Sequence, residues 1–423
     1  MGALGSFKSL VRGFDSQVWS LFVAEIISVL GTSIIRTFLA IFMYKEMGMS
    51  MTEVGVAFFV TSLVGAIASY MGGMISDAWG RKKLLVTGLA LQVLVYLLLS
   101  LVTGMHVSYL LFVAVLALSS LVGDMYRPVP EVMIADVVKP DLRVEAYGLL
   151  RIGANLGWVI GPVLGGFLLI FIPFYWVFLI TAFTTLVYLM IALFFLRDTR
   201  PSVKAEKLRL DDIRYIVADR PFLMYTLISA FMLIPYQQMY TLLSVYSSSY
   251  VGLSDFWIGV LFAESGIMVA LSQYFVSRKV KNYRLTSMLA LCTIVFAAGF
   301  SLLAVSTAFI MPFVCIGIAT LAEMIWAPAG STLQANLAPE SRRGRYFGFS
   351  GLFSSLGFAI GPLFGGVLKD SVNNNIPSMW IVVSAMFILC GVGFLLLNRF
   401  VPEHVNAPAK KIEEKRLEAP IEA

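Results

Sequence analysis

The chain carries a dozen runs, each of about twenty residues, that hold almost no charge. A helix of that length spans the ~30 Å hydrocarbon core of a bilayer. The runs fall near 18–44, 53–74, 84–104, 109–135, 145–171, 175–196, 221–247, 255–276, 285–306, 309–334, 344–369 and 379–400. Most joints between them are short, so the expected fold is an all-α polytopic membrane protein. Composition agrees: 59% of the residues are hydrophobic and 13% charged, against roughly a quarter charged in soluble domains.

Basic residues set the expected topology. Alternate joints and the two ends hold 26 of the 31 lysines and arginines, among them Arg81, Lys82, Lys83, Arg278, Lys279 and Arg342. The opposite joints hold Lys45 and Lys369 only. The positive-inside rule places both termini and the long middle joint in the cytoplasm. This distribution accounts for the net charge of +6 without a nucleic-acid partner. The first span is too long for a cleaved signal peptide. With no targeting segment, the reading is a multi-pass protein of a plasma (inner) membrane. Cys292, Cys315 and Cys390 lie inside spans as apolar fillers, with no metal-ligand spacing. His106 and His404 lie in a joint and a tail. No cofactor is expected.

The stretch 197–220, RDTRPSVKAEKLRLDDIRYIVADR, is the only long charged joint. It divides the chain into 1–196 and 221–400, six spans each, with a cytoplasmic tail at 401–423. LRLDDIRYIVA has helical spacing and reads either as a helix on the inner membrane surface or as a solvated linker. The halves repeat. At an offset of 200, twelve of the 41 positions from Pro128 to Leu168 are identical, chiefly glycine and proline. Six spans separate the copies, an even number, so the repeats are parallel about an axis along the membrane normal.

In the first copy Gly153, Gly157, Gly161 and Gly165 recur every four residues, followed by Gly166, with Pro162 among them. Small residues let helices approach closely in lipid, where van der Waals packing replaces the hydrophobic drive. Pro162 removes one backbone hydrogen bond. The fifth and eleventh spans therefore face something flat. The second span (Gly55, Gly65) and the eighth (Gly259, Ala263) are candidate partners, and static packing is the plainer reading of the same stripe.

GGMISDAWGRKK, Gly72–Lys83, resembles the loop signature of the major facilitator superfamily through Gly73, Asp77, Gly80, Arg81 and Lys82. Ala78 departs from the usual base at its place. The GPxxGG segment of the fifth span resembles the motif of the superfamily's twelve-helix drug:proton antiporters, and the resemblance covers nearly the whole chain. It implies twelve transmembrane helices as two parallel six-helix repeats around a central cavity, working by alternating access. Spans 1, 4, 7 and 10 would line the cavity, and spans 2, 5, 8 and 11 would slide at the seam. The signature loop would act as a latch, with Asp77 capping the eleventh span near Gly344 to Tyr346 and Arg81 paired with Asp136. Topology alone is the plainer reading of these bases.

Ionisable groups inside spans are costly and mark functional sites by default. The first half holds Glu25, Asp124 and Glu131 with Arg36, Arg127 and Arg151. Glu25 and Arg36 share a face of the first span, ~16 Å apart. Asp124, Arg127 and Glu131 stand at i, i+3 and i+7 of the fourth. Three acids and three bases read either as a structural ion network or as a network that changes partners. The second half holds Glu264 and Glu323, with no base within its spans. Lipid favours the neutral form of such acids, the property a proton carrier needs. Glu323 is the first candidate for the coupling proton, with Glu264, Glu25, Asp124 and Glu131 behind it; quiet hydrogen bonding is the alternative.

Tyr126, Tyr236, Gln237, Gln238, Tyr240 and Trp326 are candidates for a substrate cavity, where aromatic and amide groups suit a bulky amphipathic ligand. The same residues also serve as core or interface anchors. The expected function is a monomeric secondary transporter exporting lipophilic, drug-like small molecules in exchange for protons. The alternatives are an organic-anion carrier using Arg36 and Arg127, and a receptor or scaffold that keeps the fold without transport. No nucleotide loop and no nucleophile–base pair point to an enzyme.

Overall fold

The computed structural model describes residues 14–105, 107–139, 142–199, 210–339, 342–372 and 375–406. Its elements are α1 (Ser16–Ile41), α2 (Met51–Trp79), α3 (Arg81–Gly104), α4 (Tyr109–Tyr126), α5 (Val129–Val137), α6 (Arg143–Leu168), α7 (Tyr175–Phe195), α8 (Leu210–Ala218), α9 (Arg220–Tyr236), α10 (Leu242–Ser249), α11 (Asp255–Val280), α12 (Leu285–Val305), α13 (Met311–Leu337), α14 (Arg343–Ser371), α15 (Ile376–Leu397) and α16 (Glu403–Asn406). Eleven helical segments among the described residues are long and apolar enough to cross a membrane. The fold is an all-α polytopic bundle of two repeats.

The remaining expected span, the seventh at 221–247, is broken into α9, a 3-10 turn at Gln237–Met239, and α10. Pro235, inside α9, has no N–H for the helical ladder. Side chains bridge the break. Gln238 Nε2 donates to Ile234 O at 2.7 Å, and Thr241 Oγ1 donates to Gln237 O at 3.0 Å. The fourth span is interrupted too. α4 stops at Tyr126 and α5 begins at Val129, because Pro128 and Pro130 lack the N–H groups that would bond the Asp124 and Tyr126 carbonyls. A single proline at the equivalent place, Pro328, leaves α13 continuous.

The chain forms two compact units. One comprises the described parts of Met1–Met47, Val60–Ala205 and Ser254–Ala263; the other those of Gly48–Phe59, Glu206–Leu253 and Glu264–Ala423. In the first unit α1 packs on α6 and α7, and α3 on α7 and α4. In the second, α9 packs on α14 and α15, and α12 on α15 and α13. The repeat thus extends from identical residues to the pairing of helices. It reaches the backbone at the joints. Val138 and Ala338 are both extended C-caps, and the next helices start at Arg143 and Arg343.

The glycine stripe lies against the first helix of its own unit, a partner the sequence did not name. A Cβ on Gly157 would stand 2.8 Å from Val29 Cβ and 2.9 Å from Leu30 N, and one on Gly161 would stand 2.7 Å from Leu30 O. Gly153 and Gly165 meet Phe22 and Ile34 of the same helix. The second copy repeats the arrangement: Gly357 meets Leu233, Gly361 meets Gln237 and Ile234, and Gly365 meets Gln238. The expected small-residue partners meet the prolines instead. Within the first unit Gly259 abuts the Pro162 carbonyl, and within the second Gly55 leaves a Cβ only 2.6 Å from Pro362 O.

LRLDDIRYIVA contains the helix α8, which neither lies alone nor dangles. Ile216 is buried in a cluster with Phe222, Tyr346 and Phe349 of the second unit. The Arg342 guanidinium lies 4.1 Å from the Tyr215 ring centre. Asp219 ties the joint, accepting from Phe222 N–H at 3.2 Å and from the Tyr346 hydroxyl at 3.1 Å.

Candidate functional site

In the first unit the fourth-span break decides the geometry of the charges. Arg127 is the cap residue after α4 and stays within 3.3 Å of Asp124, one helical turn back. Glu131 does not continue that helical face, as i, i+7 spacing implied. It falls in the first turn of α5, where an acid is favoured by the helix dipole. Asp124 fits against Gly65 of α2, where any Cβ would collide with its carboxylate. Glu25 is half-buried on α1 and feels both Arg127 and Glu131 electrostatically. Arg127 is 64% exposed, and Arg36, Glu131 and Arg151 are exposed as well. The Asp124–Arg127 pair is therefore one link in an open cluster rather than a sealed network.

The signature loop is held by two acids of the same unit, Asp198 and Asp136. Gly80 has φ +97°, a conformation open to glycine, and Asp198 lies 2.7 Å from where its Cβ would be. The Asp198 carboxylate accepts from Lys82 N–H at 3.0 Å. Lys82 Nζ donates to the Leu193 and Leu196 carbonyls at the end of α7. Arg81, nearly buried, has its Nε 3.5 Å from Asp136 Oδ2 and donates from Nη1 to Ser76 Oγ at 2.8 Å. Thr199 Oγ1 donates to the same Asp136 oxygen at 2.9 Å. Asp198 and Thr199 were not singled out in the sequence, since a D-T after a span reads as ordinary linker. A Cβ on Gly73 would meet nothing within 4 Å. The Asp77 side chain and the surroundings of Gly344 lie outside what the structure describes, as does His106.

In the second unit Glu323, on α13, is hydrogen-bonded with Tyr236. The Tyr236 hydroxyl lies 3.3 Å from that of Tyr240, and its ring centre 5.3 Å from that of Trp326. A phenol can donate to a carboxylate or accept from a carboxylic acid, so this setting suits Glu323 in either protonation state. Glu264 makes no ion pair among the described residues. Gly317 of α13 leaves room for it, with Glu264 Oε1 3.2 Å from where a Cβ would stand.

Two substrate-cavity candidates stand in packed positions. Gln238 is fully buried and donates to the Ile234 and Gly361 carbonyls; it is a strut that fills the break in the seventh span. Tyr126 packs against the hydrophobic core of the first unit and presses on Gly88. Gln237 lies against Gly361. Trp326, by contrast, borders a cavity of about 280 Å³ within the second unit, whose polar lining is Tyr225, Ser229, Ser331, Gln334, Ser350 and Ser354. The serines were not singled out in the sequence.

Paired six-helix repeats with charged residues inside the spans define a polytopic membrane transporter. The sequence profile of the Major Facilitator Superfamily matches residues 21–326 and 286–421, and the chain belongs to that superfamily. It is 25% identical over 398 residues to the Na(+), Li(+), K(+)/H(+) antiporter of Planococcus maritimus, covering 86% of this chain and 89% of that protein. It is 24% identical over 381 residues to the multidrug resistance protein MdtH of Escherichia coli, covering 88% and 92%. Its fold is shared with a POT family transporter solved in complex with 5-aminolevulinic acid, at a TM-score of 0.76 and 14% identity over 90% of this chain and 95% of that one. The chain is a multi-pass membrane transporter and not an enzyme.

Proposed function

We propose that the protein is a secondary active exporter, alternating access between the two sides of a plasma (inner) membrane and exchanging protons for lipophilic, drug-like molecules. The observation that carries this reading is Glu323. It sits inside a membrane helix, bonded with the phenol of Tyr236, whose ring centre lies 5.3 Å from that of Trp326. A carboxyl group so placed can take up and release a proton within reach of an apolar ligand. The names of two relatives, an alkali-cation/proton antiporter and a multidrug resistance protein, support ion exchange and drug export respectively. An organic-anion carrier fits less well, because Arg127 already holds the Asp124 carboxylate, which would compete with an anionic ligand.

The test is uptake of a fluorescent lipophilic cation into proteoliposomes that are acidic inside, with and without a protonophore. Accumulation that needs the protein, collapses with the gradient and is abolished in Glu323→Gln is the expected result. Full gradient-driven uptake in the double variant Glu264→Gln, Glu323→Gln would sink the proton role. Proton release driven by sodium or potassium alone would transfer the reading to alkali-cation exchange.

A further inference from the structure

The two units place different chemistry at the same address. The glycine contacts fix the register of the repeat. Gly157, Gly161 and Gly165 meet Val29, Leu30, Ser33 and Ile34; Gly357, Gly361 and Gly365 meet Leu233, Ile234, Gln237 and Gln238. The first helix therefore maps onto the seventh span at an offset of 204, while the fourth and tenth, and the fifth and eleventh, keep the offset of 200. In this register Glu25 corresponds to Ser229, Tyr126 to Trp326, Arg127 to Ala327 and Glu131 to Ser331. Leu150 and Ala154 correspond to Ser350 and Ser354. Three charges of the first unit's cluster, Glu25, Arg127 and Glu131, are thus replaced by a serine or an alanine, and each of these two apolar residues of the fifth span by a serine.

The cavity in the second unit lies at this address. Removing Glu and Arg side chains leaves space, and the serines give that space a polar wall without a formal charge. Its polar lining is hydroxyl, amide and the Trp326 indole N–H, with no formal charge. Ser229 Oγ is buried one helical turn from Tyr225, and its near polar neighbour is the Tyr225 hydroxyl. A hydroxyl keeps two acceptor lone pairs and can rotate, so Ser229 can also meet a polar atom that enters the cavity. The Tyr225 hydroxyl itself donates to Gly330 O at 2.9 Å. Trp326 supplies a flat aromatic side, and Phe358 another apolar one.

We propose that this cavity is a binding subsite for an uncharged, flat ring bearing hydroxyl, ether or carbonyl groups, about the size of a two-ring heterocycle. Trp326 stacks on the ring, and Ser229, Ser354 and Gln334 meet its polar atoms. A cationic group has no counter-charge in this wall and is excluded from it. The proposal deepens the exporter reading by assigning the neutral end of an amphiphilic substrate, but binding here does not require proton coupling.

The experiment uses the full chain in nanodiscs, without any gradient. The probe is 4-(hydroxymethyl)-7-methoxycoumarin, which is fluorescent, flat and uncharged; its partner is 7-methoxy-4-methylcoumarin, the same skeleton without the hydroxyl. The expected result is saturable binding of the hydroxylated probe, weakened about fivefold or more by Ser229→Val, with the partner weaker and indifferent to that change. Ala327→Leu, which fills the cavity, should abolish binding of both. Thermal unfolding of each variant confirms that it is folded, and a folded Ser354→Ala serves as a second polar deletion if Ser229→Val is not. Partition equal to that of empty nanodiscs, or binding unchanged in the folded variants, overturns the proposal. Gradient-driven uptake of the lipophilic cation, measured separately, reports on the exporter reading, so either can fail alone.

Discussion

Arg81 and Asp136 show what a residue must do in a loop that the sequence marks strongly. The pair is nearly buried, with side chains 7% and 12% exposed, and Ser76 and Thr199 complete its hydrogen bonds. Removing one member of a buried pair strands the other without a counter-charge. Asp136→Ala should therefore lower stability by about 3 kcal/mol in denaturant titrations in detergent, and Asp136→Asn, which can still accept from Thr199, by less. Equal stability of all three proteins would mean that the pair is solvated. The residues of this loop were legible because their types are unusual between two apolar runs. Gln238 was not. A glutamine in a membrane helix suggests a ligand contact, yet here it serves the Ile234 carbonyl at the end of α9 and the Gly361 carbonyl of α14. Sequence shows that a polar group is buried, and only the fold shows whether a backbone carbonyl is waiting for it.

The helices themselves were readable from apolar length, and their failures have one cause. The fourth and seventh spans are apolar enough to cross, but prolines interrupt them. Hydropathy is blind to a missing N–H. The stripe at Gly153, Gly157, Gly161 and Gly165 was equally plain, while its partner was not, since a surface without side chains accepts any close neighbour. That neighbour is α1. Two glycines of α6 separate packing from propensity. A Cβ on Gly157 would crowd Val29 and the Leu30 backbone, whereas one on Gly148 would meet nothing within 4 Å. Gly157→Val should cost about 1–3 kcal/mol or more through overpacking against a backbone that cannot yield, with a lower melting temperature and less monodisperse protein. Gly148→Val should leave both within error. If the two variants behave alike, the stripe serves helix flexibility rather than the approach of α1.

Two helices are shared out at the level of the whole molecule. The start of α2, Gly48–Phe59, belongs with the second unit, and the start of α11, Ser254–Ala263, with the first. Both sites repeat one device, a glycine on the incoming helix against a proline carbonyl: Gly55 on Pro362 and Gly259 on Pro162. The second unit adds a polar tie. Asp370, at the end of α14, accepts from Thr52 N–H at 2.7 Å and from Met51 N–H at 3.3 Å, so its carboxylate caps the free donors and the positive dipole end of α2. Such a cap contributes about 1 kcal/mol. Alternating access, as proposed, requires joints of this kind to part. A short cross-link between cysteines at Thr52→Cys and Asp370→Cys, in a background where Cys292, Cys315 and Cys390 are serine, should then stop transport, and reductant should restore it. Ligand binding to the Ser229 cavity should survive the cross-link, because that site lies wholly within the second unit. Transport that continues with the link intact would show that α2 and α14 move as one body, and the opening would have to occur elsewhere along the shared helices.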